Sequence, residues 1–399
     1  MTAIEYGLMA PDRSLVSRWP TVWPVALALA LTLIPVVHVG GLRVPPVLVV
    51  AAPVMGVWYL YLRTAGALES GWPELLLAAL CALIFMGDAT DWLEGVWVLR
   101  INEYVKVFWY FTLYRVMTVR GRTMDRPSAL WLQAGLLIIA TVGIAEYFNL
   151  GGIKTLFGSY YVIESQQAGF LQGGEGGESR VTSTLMNPNY YSLFMVLAFW
   201  WTYTSPHLQR RSKFLMCGWL AIAVLPGQSR TAVGILLVLT LMLMFSEVGH
   251  WTWLILSPAA VAVVAFARQH LDALNYLFAL FRSSDLLWHS LLVRVDVWAD
   301  FAEHATRDPL TFLWGYDHGP SGNTYTYDSY YVELVARDGL PFLLGLSVPF
   351  GRCLWRRGTP WARGFLLLLL VAGITMPFYG NFQFTSVALI MAALGDRRI

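Results

Sequence analysis

Apolar stretches long enough to cross a bilayer recur along this chain, and they constrain its fold more than any motif does. A hydrocarbon core tolerates only backbone whose N–H and C=O groups are satisfied internally, so each stretch must become a helix packed on other helices. Composition agrees: 57% of residues are hydrophobic, 13% are charged and the mean hydropathy is +0.55, too apolar for one soluble domain. The chain therefore reads as an all-α, polytopic membrane helical bundle of about twelve transmembrane helices. The spans fall near 20–40, 43–62, 73–87, 100–118, 128–149, 187–205, 214–227, 231–247, 251–267, 329–351, 364–379 and 381–395.

Basic residues orient this bundle. Arg13, Arg18, Arg63, Arg115, Arg120, Arg122, Arg126, Arg210, Arg211, Lys213, Arg352, Arg356, Arg357, Arg363, Arg397 and Arg398 all fall on one side, which the positive-inside rule makes cytoplasmic. Both termini are then inside, and the first apolar run, too long for a signal-peptide core, is a retained span. The organisation is N-terminal helices over 1–149, an external segment over 150–186, central helices over 187–267, a large external loop with short helices over 268–328, and C-terminal helices over 329–399. No internal repeat is visible, which disfavours transporters built from inverted halves. The 18 Trp and 19 Tyr suit interfacial belts or a ring-stacking site. Cys81, Cys217 and Cys353 have no paired spacing, so neither a disulfide framework nor a metal cluster is implied. A net charge of +2 names no partner, and no nucleic acid is expected.

Arg230 is the most informative single residue. It sits in a tight break, Pro226-Gly227-Gln228-Ser229-Arg230, between two apolar segments and close to membrane depth. Burying a guanidinium there costs roughly 2.5–3.5 kcal/mol on insertion scales, so such a residue normally has an anionic partner. Two further external arginines flank apolar spans. Arg180 follows the glycine-rich run Gly173-Gly174-Glu175-Gly176-Gly177-Glu178, shortly before Asn187-Pro188-Asn189, where the asparagine can cap a helix that the proline starts. Arg294 belongs to a segment that, read as a helix over 284–307, puts Asp285, His289, Asp296, Asp300, Glu303 and Arg307 on one solvated face. Arg294 shares the opposite face with Leu287, Leu291, Trp298 and Phe301. It is either a snorkelling side chain or an inward cation.

Arg180, Arg230 and Arg294 can converge on one anion. Arginine keeps its charge and grips phosphate oxygens bidentately, which suits a lipid diphosphate arriving at this depth. The loop that follows, from Trp314 to Tyr331, mixes aromatic residues with Asn323, Asp317 and Asp328, as carbohydrate sites do; an interfacial aromatic loop has the same composition. Asp328, where the chain re-enters the membrane, can orient or deprotonate an attacking hydroxyl, or simply cap the next helix. His318 is a weaker base candidate between turn-forming residues. Glu333 and Arg337 are four apart and pair most simply with each other; Arg100, Glu103 and Lys106 have spacings that suggest mutual pairing. Asp88 and Asp91 read as an external turn.

The order of these short motifs resembles the O-antigen polymerase and O-antigen ligase superfamily of bacterial inner-membrane glycosyltransferases. They are Arg180 before Asn187-Pro188-Asn189-Tyr190, Ser229-Arg230-Thr231-Ala232, Arg294 with Trp298, and Asp328-Ser329-Tyr330-Tyr331 leading to Asp338-Gly339-Leu340-Pro341. The resemblance spans about residues 175–345; the first five spans match only in hydropathy. It implies a GT-C-like membrane enzyme that uses undecaprenyl-diphosphate-linked oligosaccharide and polysaccharide on the periplasmic face, among membrane lipids and with a chain-length regulator as a further partner. By position Arg180, Arg230 and Arg294 match the arginines that hold the diphosphate, Asp328 and His318 are the base candidates, and Trp298, Asn323, Tyr327 and Tyr330 are the sugar-binding candidates. Ligases of this superfamily carry a His-Asn pair where this chain has Asp328-Ser329, which favours polymerase over ligase.

The residues suit that chemistry. Preorganised arginines can stabilise the leaving diphosphate as the anomeric C–O bond breaks, with no metal obligatory, and neither a metal nor another cofactor is expected. Inversion at the anomeric carbon is the expectation by analogy with the GT-C class. A flippase for lipid-linked sugars is the alternative of another class, and it requires polar groups inside the bundle.

Overall fold

A computed structural model describes residues 22–35, 37–39, 42–44, 46–66, 68, 71–93, 100–117, 125–154, 181–185, 187–247, 295–296, 298–303, 305–307, 309–315, 329–357, 360–376 and 378–394. The long helices are α1 (Val22–Leu33), α2 (Pro46–Thr64), α3 (Trp72–Leu93), α4 (Ile101–Met117), α5 (Arg126–Tyr147), α6 (Pro188–Thr204), α7 (Arg210–Val224) and α8 (Arg230–Glu247). After the one-turn α9 (Thr311–Trp314) come α10 (Tyr330–Arg357), α11 (Pro360–Thr375) and α12 (Phe382–Leu394). Every span expected from hydropathy coincides with one of these helices except 251–267, which lies outside the described residues.

The architecture is helical apart from one correction. Val37–Val39 and Leu42–Val44 pair as a short antiparallel hairpin, His38 opposite Arg43, where the expected spans had helix ends. Both strands are rich in β-branched residues and bracket Gly40-Gly41, a local signal that a hydropathy window averages away.

Four helical stretches are long and apolar enough to cross a membrane: Pro46–Thr64, Trp72–Ala89, Arg126–Tyr147 and Tyr330–Arg352. They also turn apolar side chains outward. Val50 is 69% exposed on α2 and Leu75 71% on α3, a surface that water would penalise and lipid would not. Helix α6 is the opposite case. Buried on all sides from Tyr191 to Thr202, it is the central strut on which α7, α8 and α11 pack.

The helices alternate, which gathers their termini at two ends. One end joins the N-terminal halves of α4, α6, α8, α10 and α12 to the C-terminal ends of α3, α5, α7 and α11, and is called the upper end below. At the lower end Glu74 accepts from Tyr59 at 2.7 Å and meets Arg115 at 3.6 Å. Arg63, Arg115, Arg126, Arg210, Arg211, Lys213, Arg352 and Arg363 belong to that lower end, while Arg13, Arg18, Arg120, Arg122, Arg397 and Arg398 of the expected basic side lie outside the described residues.

Local chemistry explains several boundaries. Asn187 Oδ1 accepts from Asn189 N–H at 2.8 Å and Pro188 opens α6, the cap the sequence announces. Asp125 does the same for α5 through Ser128 N–H. At α10 the capping atom belongs to Ser329, whose Oγ accepts from Val332 N–H at 3.5 Å and donates to Gly373 O at 3.2 Å. Asp328 lies outside the described residues.

Candidate active site at the upper end

Three segments singled out in the sequence are linked at the upper end, two of them directly to the last turns of α11 and the third through the turn before α8. Thr231, beside Arg230 in the first turn of α8, shares a hydrogen bond with Thr375 at the end of α11. Ser329, beside Asp328, bonds Gly373 two residues earlier. Val181, beside Arg180, donates its N–H to Pro226 O at 3.2 Å, at the start of the turn that carries Arg230. Arg230 itself is half-buried at the first position of an 18-residue helix, where the free N–H groups and helix dipole add to its charge.

Close packing fixes that turn. Gly227 lies against the first turn of α6 so tightly that a Cβ there would come 2.0 Å from Ser192 Oγ and 2.8 Å from Pro188 O. Ser192 Oγ in turn donates to Val224 O at 3.2 Å. Gln228 takes a left-handed conformation, φ 52° and ψ 33°, and closes the turn through Gln228 N–H to Leu225 O at 2.9 Å.

The segment after Arg180 is anchored by a carboxylate that the sequence reading missed. Glu146, near the end of α5 and 4% exposed, accepts from Thr182 N–H at 3.2 Å, Thr182 Oγ1 at 3.3 Å and Ser183 N–H at 2.7 Å. Ser183 needs this hold because its φ is +47°, a conformation that residues with a Cβ avoid. The signal was an acidic residue at the end of an apolar run, where an unpaired charge is costly.

Beneath the site lies a buried ionic network, and it corrects two expectations. Asp88 is fully buried inside α3, not in an external turn. Arg100 pairs with neither Glu103 nor Lys106. Its Nε bonds Asp88 at 2.6 Å, its Nη1 bonds Asp338 at 2.9 Å and Arg337 O at 2.8 Å, and its Nη2 bonds Ile84 O at 2.8 Å. Glu103 pairs with Lys106 at 2.8 Å, as expected, and also with Arg337 at 2.6 Å; the expected Glu333–Arg337 pair is present at 3.1 Å. These charges clamp α3 and α4 onto α10 where α10 breaks at Gly339, φ +83°. A Cβ on Gly339 would fall 2.1 Å from Leu313 O, so the break also seats α9.

An apolar cleft of about 290 Å³ runs along the bundle between α3, α4, α10, α11 and α12. It extends from Trp72 and Arg115 at the lower end to Tyr330, Tyr331 and Phe378 at the upper end, beside the Ser329–Gly373 junction. Tyr330, a sugar-binding candidate, is a wall of this cleft. It is 8% exposed, its ring is stacked on Phe378 at 4.4 Å and its hydroxyl is 3.0 Å from Ser347 Oγ.

In the second external segment the described part has the expected two faces. Asp296, Asp300, Glu303 and Arg307 are exposed, with Arg307 bonded to Glu303, while Trp298 and Phe301 are half-buried and Phe301 meets Phe312 of α9. The indole N–H of Trp298 is buried without a hydrogen-bond partner among the described residues. Arg180, Arg294, His318, Asn323, Tyr327 and Asp328 lie outside the described residues. Among the described residues no group of three or more His, Cys, Asp or Glu side chains is placed to hold a metal ion.

Compared with known proteins, the chain matches no family model and no curated protein significantly.

Proposed function

We propose that this chain is a membrane glycosyltransferase of the polysaccharide-polymerase type, GT-C-like with about twelve spans. It transfers a growing glycan from undecaprenyl diphosphate to the next lipid-linked repeat unit on the periplasmic face of the bacterial inner membrane. The upper end is the periplasmic one, since the lower end carries the basic residues. The observation that carries the reading is that the start of α8 and the start of α10 meet at Thr375 and Gly373, while the flank of Arg180 joins the turn that leads into α8. The apolar cleft beside that junction suits an isoprenoid chain entering from the bilayer.

In this reading Arg180, Arg230 and Arg294 hold the diphosphate and stabilise its charge as the anomeric C–O bond breaks. Asp328 orients or deprotonates the acceptor hydroxyl, with His318 the second base candidate. Asn323, Tyr327, Tyr330 and Trp298 face the sugars. The anomeric centre inverts, and no metal takes part.

A flippase for lipid-linked sugars has one observation in its favour: seven charged residues, Asp88, Arg100, Glu103, Lys106, Glu333, Arg337 and Asp338, lie inside the bundle. They pair with one another across helices, however, and the cleft beside them is lined by apolar side chains except at its ends. Purified protein in nanodiscs, given lipid-diphosphate-linked repeat units without metal, separates the readings. A ladder of longer lipid-linked chains supports the polymerase. Transfer only after lipid A-core is added means a ligase, and substrate crossing without a new glycosidic bond means a flippase.

A further inference from the structure

The ionic network between α3, α4 and α10 does not balance. Among the described residues its charged members are four carboxylates, Asp88, Glu103, Glu333 and Asp338, and three cations, Arg100, Lys106 and Arg337, in contact at 2.6–3.1 Å. One negative charge is therefore in excess, and inside a bundle an uncompensated charge is so costly that an acid takes up a proton instead. No three acidic side chains among the described residues are placed to hold a metal ion, whereas a proton needs only one oxygen.

The contacts of the four acids single out one. Asp88 uses both oxygens, Oδ1 for Arg100 Nε at 2.6 Å and Oδ2 for the Tyr104 hydroxyl at 3.0 Å. Glu103 Oε1 receives two cations, Lys106 at 2.8 Å and Arg337 at 2.6 Å, although its Oε2 accepts nothing. Glu333 pairs with Arg337 and stays partly exposed. Asp338, its side chain fully buried, has a single donor, Arg100 Nη1 at 2.9 Å, and that nitrogen also serves Arg337 O. Asp338 Oδ2 is buried without a hydrogen-bond partner; sharing one carbon with Oδ1, it stands inside the network. Arg100 is thus divided between two acids, and Asp338 has the weaker share. From the segment before α12, Tyr379 meets the network through its ring, 5.4 Å from Lys106 Nζ.

We propose that Asp338 is the binding site of one exchangeable proton, carried on Oδ2 while Oδ1 keeps its bond from Arg100. The proton comes from water at the upper end, where Arg337, with 29% of its side chain exposed, connects the network to the surface. Uptake neutralises the excess charge. Release leaves an uncompensated carboxylate one residue before Gly339, where α10 breaks and α9 is seated. The clamp on α10 is therefore firmest with the proton bound and loosens as the external pH rises. None of this depends on the transferase reading.

The test is infrared spectroscopy and thermal unfolding of the full chain in nanodiscs, wild type against Asp338→Asn, as pH is varied. Asparagine imitates the protonated acid, with one oxygen for Arg100 and N–H donors in place of the hydroxyl. Wild type at neutral pH is expected to show the C=O stretch of a protonated carboxyl that shifts in D₂O, fades as pH rises and is missing from Asp338→Asn. The variant is expected to keep the wild-type Tm at neutral pH, and the wild-type Tm to fall relative to it as the proton leaves. A carboxyl band that survives unchanged in Asp338→Asn, or no such band in wild type, overturns the proposal. So does an Asp338→Asn protein that melts earlier at neutral pH or fails to fold, since Asp338 is then the charged partner of Arg100. A wild-type Tm that rises with sodium at constant ionic strength, without the band, overturns it too, because a metal cation then meets the excess charge.

Discussion

Val181 N–H donates to Pro226 O at 3.2 Å, and that single bond joins two segments that the sequence keeps 45 positions apart. One is the flank of Arg180; the other is the turn that delivers Arg230 to the start of α8. Glu146 holds the first segment from below through Thr182 and Ser183, and α6 supports the second through Ser192 and Pro188. The relative placement of the two arginine-bearing segments is thus set by backbone groups, hydroxyls and the buried Glu146, none of them a candidate substrate ligand.

Glu146→Ala should weaken both stability and chain growth. It leaves three buried donors without an acceptor, and each orphaned group costs about 1–3 kcal/mol. Glu146→Gln retains one acceptor oxygen but turns an NH₂ toward N–H donors, so it should fall between alanine and wild type. Thermal unfolding and product length in the same preparations check this; an alanine variant with wild-type Tm and product length contradicts the anchoring role.

Gly227→Ala should destabilise by about 1–3 kcal/mol, because its Cβ would overlap Ser192 Oγ. Removing that oxygen with Ser192→Ala should recover part of the loss, giving a coupling between the two sites in a double-mutant cycle. The contact with Pro188 O persists, so the rescue should be incomplete. Additive effects of the two substitutions would place Gly227 elsewhere.

Arg100→Ala should cost about 3–5 kcal/mol, since it strands the buried carboxylates of Asp88 and Asp338 and frees the carbonyls of Ile84 and Arg337. The loss should appear as poor insertion and a lowered Tm rather than as a selective loss of turnover. A stable Arg100→Ala protein without activity would instead put Arg100 in the reaction.

Filling the cleft should separate lipid recognition from diphosphate recognition. Leu346→Trp adds bulk to the cleft wall, away from Arg230. It should impair use of lipid-linked substrate while leaving pyrophosphate binding intact. Equal loss of both would argue against the cleft as the path of the lipid chain.

Hydropathy and capping chemistry made much of this legible in advance. Asn187 and Pro188 start α6, Glu333 pairs with Arg337, Glu103 with Lys106, and the basic residues collect at one end, because each is decided by neighbours within a helical turn or by the bilayer. Arg100 departs from its local spacing for the complementary reason. Its partners are 12 and 238 residues away, and a buried guanidinium takes whichever carboxylates and carbonyls the packing brings. An acid beside glycine, as Asp88 is, resembles a turn residue; only Arg100, just before α4, and Tyr104 on α4 compensate its burial. The partners of Gly227 and Glu146 are hidden for the same reason, being contacts with α6 and with residues 182–183, although an acid ending an apolar run marks Glu146 as needing one.

The most direct measurement is product length from lipid-diphosphate-linked repeat units with wild-type protein, Arg230→Ala and Arg230→Lys, each verified as folded in nanodiscs and assayed without metal. The account predicts a ladder of lipid-linked chains with wild type, none with alanine, and a shortened or slower ladder with lysine, whose point charge lacks the bidentate fork. A wild-type ladder that persists unchanged in Arg230→Ala would contradict it.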